Sequence, residues 1–452
     1  MHLDTIVALA TPPGVGAIGV IRVSGPKTIE LVNEVFKGKD LTSVKSHTIH
    51  LGTIRDGETI VDEVLISLFK GPNSYTKEDV IEISCHGSQF IIQQLIKLLL
   101  RKGARLAKAG EFTQRAFING RFDLAQAEAV ADLIASENES MHSAAMNQMR
   151  GGFSQEIKNL REELVHFASM IELELDFAEE DVEFASREDL KKLINNLKAL
   201  IQRLTESFTL GNAIKNGIPT VIAGKPNAGK STLLNALLNE EKAIVSDIPG
   251  TTRDVIEDVI NVDGIAFRFT DTAGIRTTED KVEAIGVERT MSKMKAASVV
   301  LYLIDMKEDQ PEDVDKEIAF IKDLGVPYLL IGNKLDQAKP AVQKQLEDNN
   351  ALLISASQKQ NLENLKEALK ELVSLDDFKS GNTIVTNLRH YESLMQTNEA
   401  LDRVITGIDQ EITNDFLAMD IRNSLHHLGE ITGEITTEDL LDNIFSKFCI
   451  GK

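Results

Sequence analysis

Apolar and polar positions follow three different rhythms along the chain. Over residues 1–118, short apolar runs at 5–10, 18–23, 63–69 and 79–84 are separated by turn clusters such as Thr11-Pro12-Pro13-Gly14 and Lys70-Gly71-Pro72-Asn73. Residues 28–36 and 88–102 carry helical spacing instead. Short strands punctuated by Pro and Gly, with two helices among them, predict a mixed α/β domain. From about residue 121 the period lengthens. Ile157, Leu160, Leu164, Phe167, Ile171 and Leu175 recur every three or four residues, as do Leu190, Ile194, Leu197, Ile201, Leu204 and Phe208. One-sided stripes of this kind predict amphipathic helices that bury against each other. Ser186, with Asp189 three residues on, suits a capped start for the second.

At 216 the rhythm changes again. Runs at 220–223, 267–270, 298–304, 328–331 and 352–354 each lead into a loop and usually a helix, the alternation of a mainly parallel sheet wrapped by helices. After 380 helical spacing returns, at Leu401, Ile405, Ile408 and Ile412, then at Ile421, Leu425 and Leu428. Two helical blocks flanking an α/β block predict an insertion, which a domain with neighbouring termini permits. The expected organisation is an N-terminal α/β domain (1–118), a helical domain split between 119–215 and 377–452, and an inserted α/β domain (216–376).

Composition narrows the function classes. The 452 residues, 42% apolar and 26% charged, are ordinary globular stock for two or three domains. No apolar run reaches membrane-spanning length, since 90–100 is interrupted by Gln93, Gln94 and Lys97. No secretory leader is expected either, because Pro12, Pro13 and Gly14 cut the first apolar stretch short. The two cysteines, Cys85 and Cys449, provide no disulfide framework, so a reducing, cytoplasmic setting is expected. Cys449 reads as a buried, inert thiol and His86 as a structural hydrogen-bonding group. The net charge of −21 argues against sequence-blind coating of nucleic acid. A slight basic excess in the first 120 residues, against an acidic balance in every later stretch, leaves room for a local RNA contact or one shared with a partner.

The sharpest chemical signal is Gly224-Lys225-Pro226-Asn227-Ala228-Gly229-Lys230-Ser231, a phosphate-binding loop between a predicted strand and a helix at 232–238. Glycines let successive N–H groups curl inward at phosphate oxygens, and the helix start adds positive potential. Lys230 is expected to reach the outer phosphates and the Ser231 hydroxyl to ligate Mg²⁺. Asp271-Thr272-Ala273-Gly274 ends a strand, where the Asp can hold Mg²⁺ through water and the Gly amide can meet the γ-phosphate. Asn333-Lys334-Leu335-Asp336 supplies a carboxylate that can accept both N1–H and the 2-amino group of guanine, and Ser355-Ala356-Ser357 an amide for its O6. The four motifs in this order predict a GTPase. Gly250-Thr251-Thr252-Arg253-Asp254 lies where a switch belongs, with Thr251 or Thr252 completing the magnesium shell. The nucleotide-contacting set is therefore Asn227, Ala228, Gly229, Lys230, Ser231 and Thr232, then Ser246, Asp247, Ile248, Pro249, Gly250, Thr251 and Thr252, then Asp271, Thr272, Ala273, Gly274, Asn333, Lys334, Asp336, Ser355 and Ala356. Where Ras-like proteins place a water-orienting Gln, this chain has Ile275. Hydrolysis must borrow another group, with Arg253, Arg276, Glu279, Asp280 and Glu283 as candidates.

End to end, the chain resembles the tRNA-modification GTPase family called MnmE or TrmE. The resemblance rests on Asp4-Thr5-Ile6-Val7-Ala8 with Thr11-Pro12-Pro13-Gly14, on Gly110-Glu111-Phe112-Thr113 with Arg115-Ala116-Phe117, on Asp123-Leu124-Ala125-Gln126-Ala127-Glu128-Ala129, on the phosphate loop, and on the terminal Phe448-Cys449-Ile450-Gly451-Lys452. It implies an N-terminal domain that dimerises and binds a tetrahydrofolate derivative (5-formyl or 5,10-methylene), a split helical domain, and an inserted Ras-like G domain. Arg22, Glu82, Arg121 and Lys452 match the folate-contacting positions, with Arg121 standing where other members can carry Lys. The resemblance also answers the missing Gln. Family members are activated by potassium-dependent pairing of two G domains. Asn227, Ser246, Ile248 (through its backbone) and Thr251 match the K⁺-ligating positions, Ser231 and Thr252 the Mg²⁺ ligands, and Glu283 the glutamate that positions water. Catalysis would then rest on Glu283, Lys230 and Thr252. The implied partners are a second copy, an FAD-dependent protein of MnmG (GidA) type, and tRNA, on which a carboxymethylaminomethyl-type group is placed at carbon five of the wobble uridine. No dinucleotide fingerprint is present, so flavin chemistry would belong to the partner.

Two other classes fit parts of the chain. A GTP-operated assembly or signalling switch would need no folate pocket. A metal-dependent hydrolase acting directly on tRNA would need zinc-ligand spacing, which none of the nine histidines shows.

Overall fold

The computed structural model describes residues 4–176, 187–241, 258–262, 264–269, 291–372, 383–410 and 412–451. Ser186, read as the cap of the second helical stripe, and the side chain of Leu175, read into the first, lie outside the described residues. The chain divides into two compact units, one of Met1–Ala135, Ala145–Ile201 and Glu392–Lys452, the other of Ser136–Ala144 and Gln202–Tyr391.

The first unit opens with β1 (Ile6–Leu9), β2 (Ile18–Ser24), α1 (Thr28–Val35), β3 (Phe36–Lys37), β4 (Thr48–Asp56), β5 (Thr59–Phe69), β6 (Val80–His86), α2 (Gln89–Arg101) and β7 (Arg105–Leu106). The strands form one sheet in the order β3-β4-β5-β6-β2-β1-β7, antiparallel except where β7 joins β1. Alternate positions of β2, β5 and β6 (Ile21, Val23, Val64, Ile66, Leu68, Ile81, Ile83) face the buried stripes of the two helices, Leu31, Val32 and Val35 on α1 and Ile92, Leu95, Leu98 and Leu99 on α2. Each such side chain contributes roughly 1.5–3 kcal/mol by leaving water. β4 carries no strand signal in the sequence because its inward positions are His50, Gly52 and Ile54, while Ile49 and Leu51 are exposed. Gly52 is required there: a Cβ would lie 2.4 Å from the ring of Phe36.

Helices α3 (Glu111–Ile118), α4 (Leu124–Ala135), α5 (Glu139–Met149), α6 (Gly152–Asp176) and α7 (Arg187–Asn216) follow. The expected stripes of α6 and α7 are buried from Ile157 to Ile171 and from Leu190 to Leu204. The unit boundary falls inside α7 at 201/202 rather than at its end. Thirty residues of helix span about 45 Å at 1.5 Å per residue, longer than one small domain requires.

The second unit contains β8 (Ile218–Gly224), α8 (Lys230–Glu241), β9 (Asp258–Val262), β10 (Ile265–Phe269), β11 (Val299–Asp305), α9 (Pro311–Asp323), β12 (Tyr328–Asn333), α10 (Pro340–Asp348), β13 (Leu352–Leu353) and α11 (Leu362–Leu372). Its sheet order is β13-β12-β11-β8-β10-β9. All pairs are parallel except β9–β10, whose antiparallel register runs from Ile265↔Val262 to Phe269↔Asp258. β11 is buried at all seven positions, as a central parallel strand covered on both faces must be.

The chain returns to the first unit through α12 (Leu388–Asp409), then adds α13 (Asn414–Thr432) and α14 (Glu438–Phe445). α13 lies along α6, flanked by Arg422–Glu172 and Asn414–Glu174, each 2.8 Å. Phe445, the last residue of α14, and Phe448 beyond it join Phe117, Leu124 and Ala127 in one cluster. The terminal segment docks on the N-terminal domain: Ile450 bridges Ala109, and the Gly110 N–H donates to the Cys449 carbonyl at 3.4 Å. Gly451 adopts φ +96° with its Cβ direction 2.2 Å from the Leu9 carbonyl, which no other residue tolerates without displacing β1.

Arg115, fully buried, donates to the Asp4 carbonyl (3.0 Å) and to the carboxylates of Asp4 (2.8 Å), Glu78 (3.2 Å) and Glu111 (3.0 Å). Burial alone would raise the Glu111 carboxyl; the bonds from Arg105, the Lys108 amide and Arg115 override it and hold it below the usual range. The Glu111…Arg115 motif therefore clamps the first strand to α3.

One expectation is corrected. Cys449 is exposed, not buried, because the docked tail pairs through its backbone. Cys85 is the buried thiol, bonded to the Gly19 carbonyl at 3.3 Å and pushed up to about 11 by burial and then by the charge of Asp62. His86 has the structural role expected: its Nδ1 bonds Asp62 Oδ1 at 2.7 Å and its N–H donates to Oδ2 at 2.8 Å. Thiolate is the reactive form. Native protein treated with iodoacetamide at neutral pH should therefore be labelled at Cys449 and spared at Cys85 until denatured; peptide mass spectrometry finding the reverse would overturn the assignment.

Candidate functional site

Phosphate-loop geometry begins with steric exclusion. β8 ends at Gly224, whose φ of +138° and Cβ direction 2.3 Å from the Leu303 carbonyl leave no room for a side chain beside β11. Asn227 is left-handed (φ +65°), a conformation Asn tolerates. Gly229, at φ +97°, lets Asn333 Nδ2 approach to 2.2 Å of where its Cβ would stand. α8 starts at Lys230, so Lys230, Ser231 and Thr232 form its first turn, where the backbone N–H groups and the helix dipole favour an anion. The Lys230 ammonium bonds the loop's own carbonyls, Gly224 at 2.8 Å and Lys225 at 2.7 Å. Burial holds its pKa below the usual lysine value, so phosphate oxygens at this position would relieve an incompletely solvated charge. The half-buried Ser231 hydroxyl is the described group suited to a hard cation.

The Asn333-Lys334-Leu335-Asp336 motif stands at the same edge of the sheet. Asn333, the last residue of β12, is buried; its Nδ2 donates to the Ala228 carbonyl (2.8 Å) and its Oδ1 accepts from the Ala356 amide (3.1 Å). One side chain thus joins the phosphate loop to the Ser355-Ala356-Ser357 loop. Lys334 is left-handed (φ +66°) and its ammonium reaches Asp305 Oδ2 at 2.5 Å. A single 3₁₀ turn, Leu335–Gln337, presents Asp336. Ser355 Oγ donates to Asp336 Oδ1 at 2.6 Å and Gln337 Nε2 to Oδ2 at 3.0 Å; these bonds, Ser355 first, hold the carboxyl below its ordinary value. An exposed, ionised carboxylate with a fixed orientation can accept two parallel N–H donors, the pattern guanine offers and adenine does not.

Ser246, Asp247, Ile248, Pro249, Gly250, Thr251, Thr252, Asp271, Thr272, Ala273, Gly274, Ile275, Glu283 and Lys452 lie outside the described residues. β10, paired parallel with β8 as far as Phe269↔Thr220, ends two residues before Asp271.

In the first unit the open face of the N-terminal sheet gathers a second constellation. Arg22 on β2 stands in register with Glu82 on β6, with 2.9 and 2.8 Å contacts to Glu82 Oε1. Arg22 Nη1 also donates to the Gly451 carbonyl at 3.1 Å. Its guanidinium lies 5.0 Å from the ring centre of Tyr75 and 5.7 Å from that of Phe112. Arg121 lies 5.2 Å from the same Tyr75 ring and 5.1 Å from Phe122, and Arg121 Nη1 donates to the Ser74 carbonyl. Tyr75 Oη is bonded to Thr113 Oγ1 at 2.9 Å. Positions 22, 82 and 121 are therefore brought together, beside the backbone that leads to Lys452. Tyr75, Phe112 and Phe122 were missed by the sequence reading. The one available signal was that Tyr75 is among only four tyrosines and follows a Pro-Asn turn. Two guanidinium groups, a carboxylate and an aromatic shelf suit a flat, hydrogen-bonding heterocycle that carries a carboxylate tail. Among the described residues no group of three or more His, Cys, Asp and Glu side chains is placed to hold a metal ion, and no described helix is long and apolar enough to cross a membrane.

Comparisons with known proteins cover the same ground. Residues 5–121 match the family model "GTP-binding protein TrmE N-terminus" and residues 124–449 match "MnmE helical domain". The tRNA modification GTPase MnmE of Cytophaga hutchinsonii is 60% identical over 452 residues, covering 100% of this chain and 98% of that protein. The proteins of the same name from Flavobacterium psychrophilum and Bacteroides fragilis are 54% and 49% identical, each covering 100% of both chains. With its phosphate loop, its Asn333-Lys334-Leu335-Asp336 edge and its docked C-terminal segment, this chain belongs to the tRNA modification GTPase MnmE family.

Proposed function

We propose that this chain is a potassium-dependent GTPase which, with an FAD-dependent partner of MnmG type, adds a carboxymethylaminomethyl-type group to carbon five of the wobble uridine of certain tRNAs. The observation that carries the reading beyond a plain nucleotide switch is the meeting of Arg22, Glu82, Arg121 and the Gly451 carbonyl around Tyr75. A switch has no use for such a cluster. A tetrahydrofolate derivative suits it chemically: Glu82 would accept from ring N–H groups, Tyr75 would offer an aromatic surface, and the arginines would meet acidic oxygens. When bound, that cofactor supplies the one-carbon unit. Lys452, one residue beyond the anchored Gly451, completes the set.

At the nucleotide site the loop amides and Lys230 would hold the phosphates, Ser231 and Thr252 would hold Mg²⁺, and Asp336 would select guanine, with Ser355 keeping its carboxylate oriented. Ile275 cannot orient water, so Glu283 takes that task. Asn227, Ser246, Ile248 and Thr251 would hold a potassium ion, whose positive charge would offset the charge that develops on the phosphates during hydrolysis. The homodimer is supported by the outer face of β4 and β5, where Ile49, Leu51 and Leu65 are exposed and Leu51 pairs with Leu65. A row of exposed apolar side chains on a sheet marks an interaction surface.

Mass spectrometry of tRNA nucleosides from cells lacking this chain tests the whole reading: the wobble modification should disappear, and its persistence would refute it. GTP turnover should rise at least about tenfold when K⁺ replaces Na⁺, and equal rates in the two salts would sink the paired-domain mechanism. Glu283→Ala should leave GTP affinity near normal while slowing hydrolysis at least about tenfold, as removal of a proton-handling group does; lost binding instead would make the residue structural. Full-length protein should bind 5-formyltetrahydrofolate at micromolar levels, and Tyr75→Ala should weaken it about tenfold by removing the shelf under two guanidinium groups. No binding by the unmodified protein would favour the switch.

A further inference from the structure

Lys225, the residue after the first glycine of the phosphate loop, turns its side chain onto acids of the surrounding fold. Its ammonium lies 2.7 Å from Asp309 Oδ1 and 2.5 Å from Glu317 Oε1 on α9. Both acids are largely buried whereas the lysine is partly exposed. Burial works against the lysine's charge, yet the two carboxylates hold its pKa above the ordinary value; burial in turn raises Glu317, opposed by Lys225. Removing the cation would leave two carboxylates facing each other in a poorly solvated place, which is costly.

The contacts continue. Asp309 Oδ2 accepts from the Asp305 amide at 3.0 Å, closing the loop after β11. Asp305 Oδ1 accepts from the Lys307 and Glu308 amides, and its Oδ2 takes the Lys334 ammonium at 2.5 Å. A chain of contacts, from Lys225 to Asp309, through the Asp305 backbone amide and on from the Asp305 carboxylate to Lys334, therefore runs from the phosphate loop to the base-recognition motif. It is separate from the carboxamide link made by Asn333. At its near end the carbonyl of Lys225 is one of the two acceptors holding the Lys230 ammonium. The side chain of Lys225 is anchored outside the loop while its backbone carries the resting partner of the lysine that meets phosphate.

We propose that Lys225 is a positioning residue: through Asp309 it braces the phosphate loop against the β11–α9 connection, so that the phosphate-binding and base-recognition loops hold one relative placement. It acts without touching the nucleotide. The proposal rests on the GTP reading of this site, and the unmodified protein's affinity for GDP tests that reading separately.

The test is stopped-flow release of a fluorescent GDP analogue from full-length protein, unmodified and as Lys225→Ala, Lys225→Arg, Asp309→Ala and the double variant Lys225→Ala/Asp309→Ala, with thermal unfolding recorded for each. Lys225→Ala should release the nucleotide about tenfold faster, the range of a lost charge-assisted bond. Asp309→Ala should do the same, the double variant should be no faster than either single one, and Lys225→Arg should restore slow release. GDP and GTP analogues should be affected by the same factor, since the brace does not sense phosphate number. Unchanged release in Lys225→Ala, or additive effects in the double variant, would overturn the proposal. So would a loss that grows from GDP to GTP, because that would place the ammonium on the nucleotide. Should Lys225→Ala fail to fold, Lys225→Gln, which keeps the stem and removes the charge, is expected to give the same acceleration, and normal release from it would equally refute the brace.

Discussion

A buried carboxamide governs the nucleotide-binding edge. Where the strands β8 and β13 end, the Ala228 carbonyl and the Ala356 amide of two loops would be left without this partner in a site that must also admit a ligand. Asn333 spends its Nδ2 on the Ala228 carbonyl and its Oδ1 on the Ala356 amide, and Gly229 makes room for it. An unsatisfied buried polar group costs about 1–3 kcal/mol, so replacing this residue would strand two at once. With that link in place the phosphate loop and the Ser355 loop share one reference point, and Asp336 can be aimed by a hydroxyl from the second of them.

The first unit solves a comparable problem with its terminal segment. Seven strands leave one sheet face open beside Arg22 and Glu82, and the chain's last residues close part of it. The closure depends on two positive-φ glycines, Gly110 and Gly451, each approached by a backbone carbonyl closer than any Cβ allows. It depends equally on phenylalanines Phe445 and Phe448 lodged against Phe117. This is why two motifs more than 300 residues apart both carry glycine next to aromatic residues, and why Arg115, buried among three acids, is needed to hold β1 against α3.

Legibility in the sequence tracked how local the physics is. The helices α6 and α7 were readable because a 3.6-residue period writes the buried stripe directly into the chain. β4 was not, since its apolar side chains point outward and its inward face is emptied to admit Phe36. The antiparallel β9 was also missed, its five residues containing two acidic or amide side chains, Asp258 and Asn261. Asn333 was recognised as part of a motif, but its loop-joining role was not, because its partners are 105 and 23 residues away. Cys449 was misjudged for a related reason: a thiol in an apolar tail looks buried until the tail is seen to dock through its backbone.

The sequence by itself determined the phosphate loop, the Asn333-Lys334-Leu335-Asp336 motif, the order of α/β and helical segments and the family resemblance, because each of these is a short spacing rule or a local period. Tertiary structure alone decided that Tyr75 lies between Arg22 and Arg121, that the C-terminal backbone meets β1, and that Lys225 turns away to Asp309 and Glu317. Those are pairings between distant residues, and what selects them is burial and charge compensation in the folded chain, which no local pattern encodes.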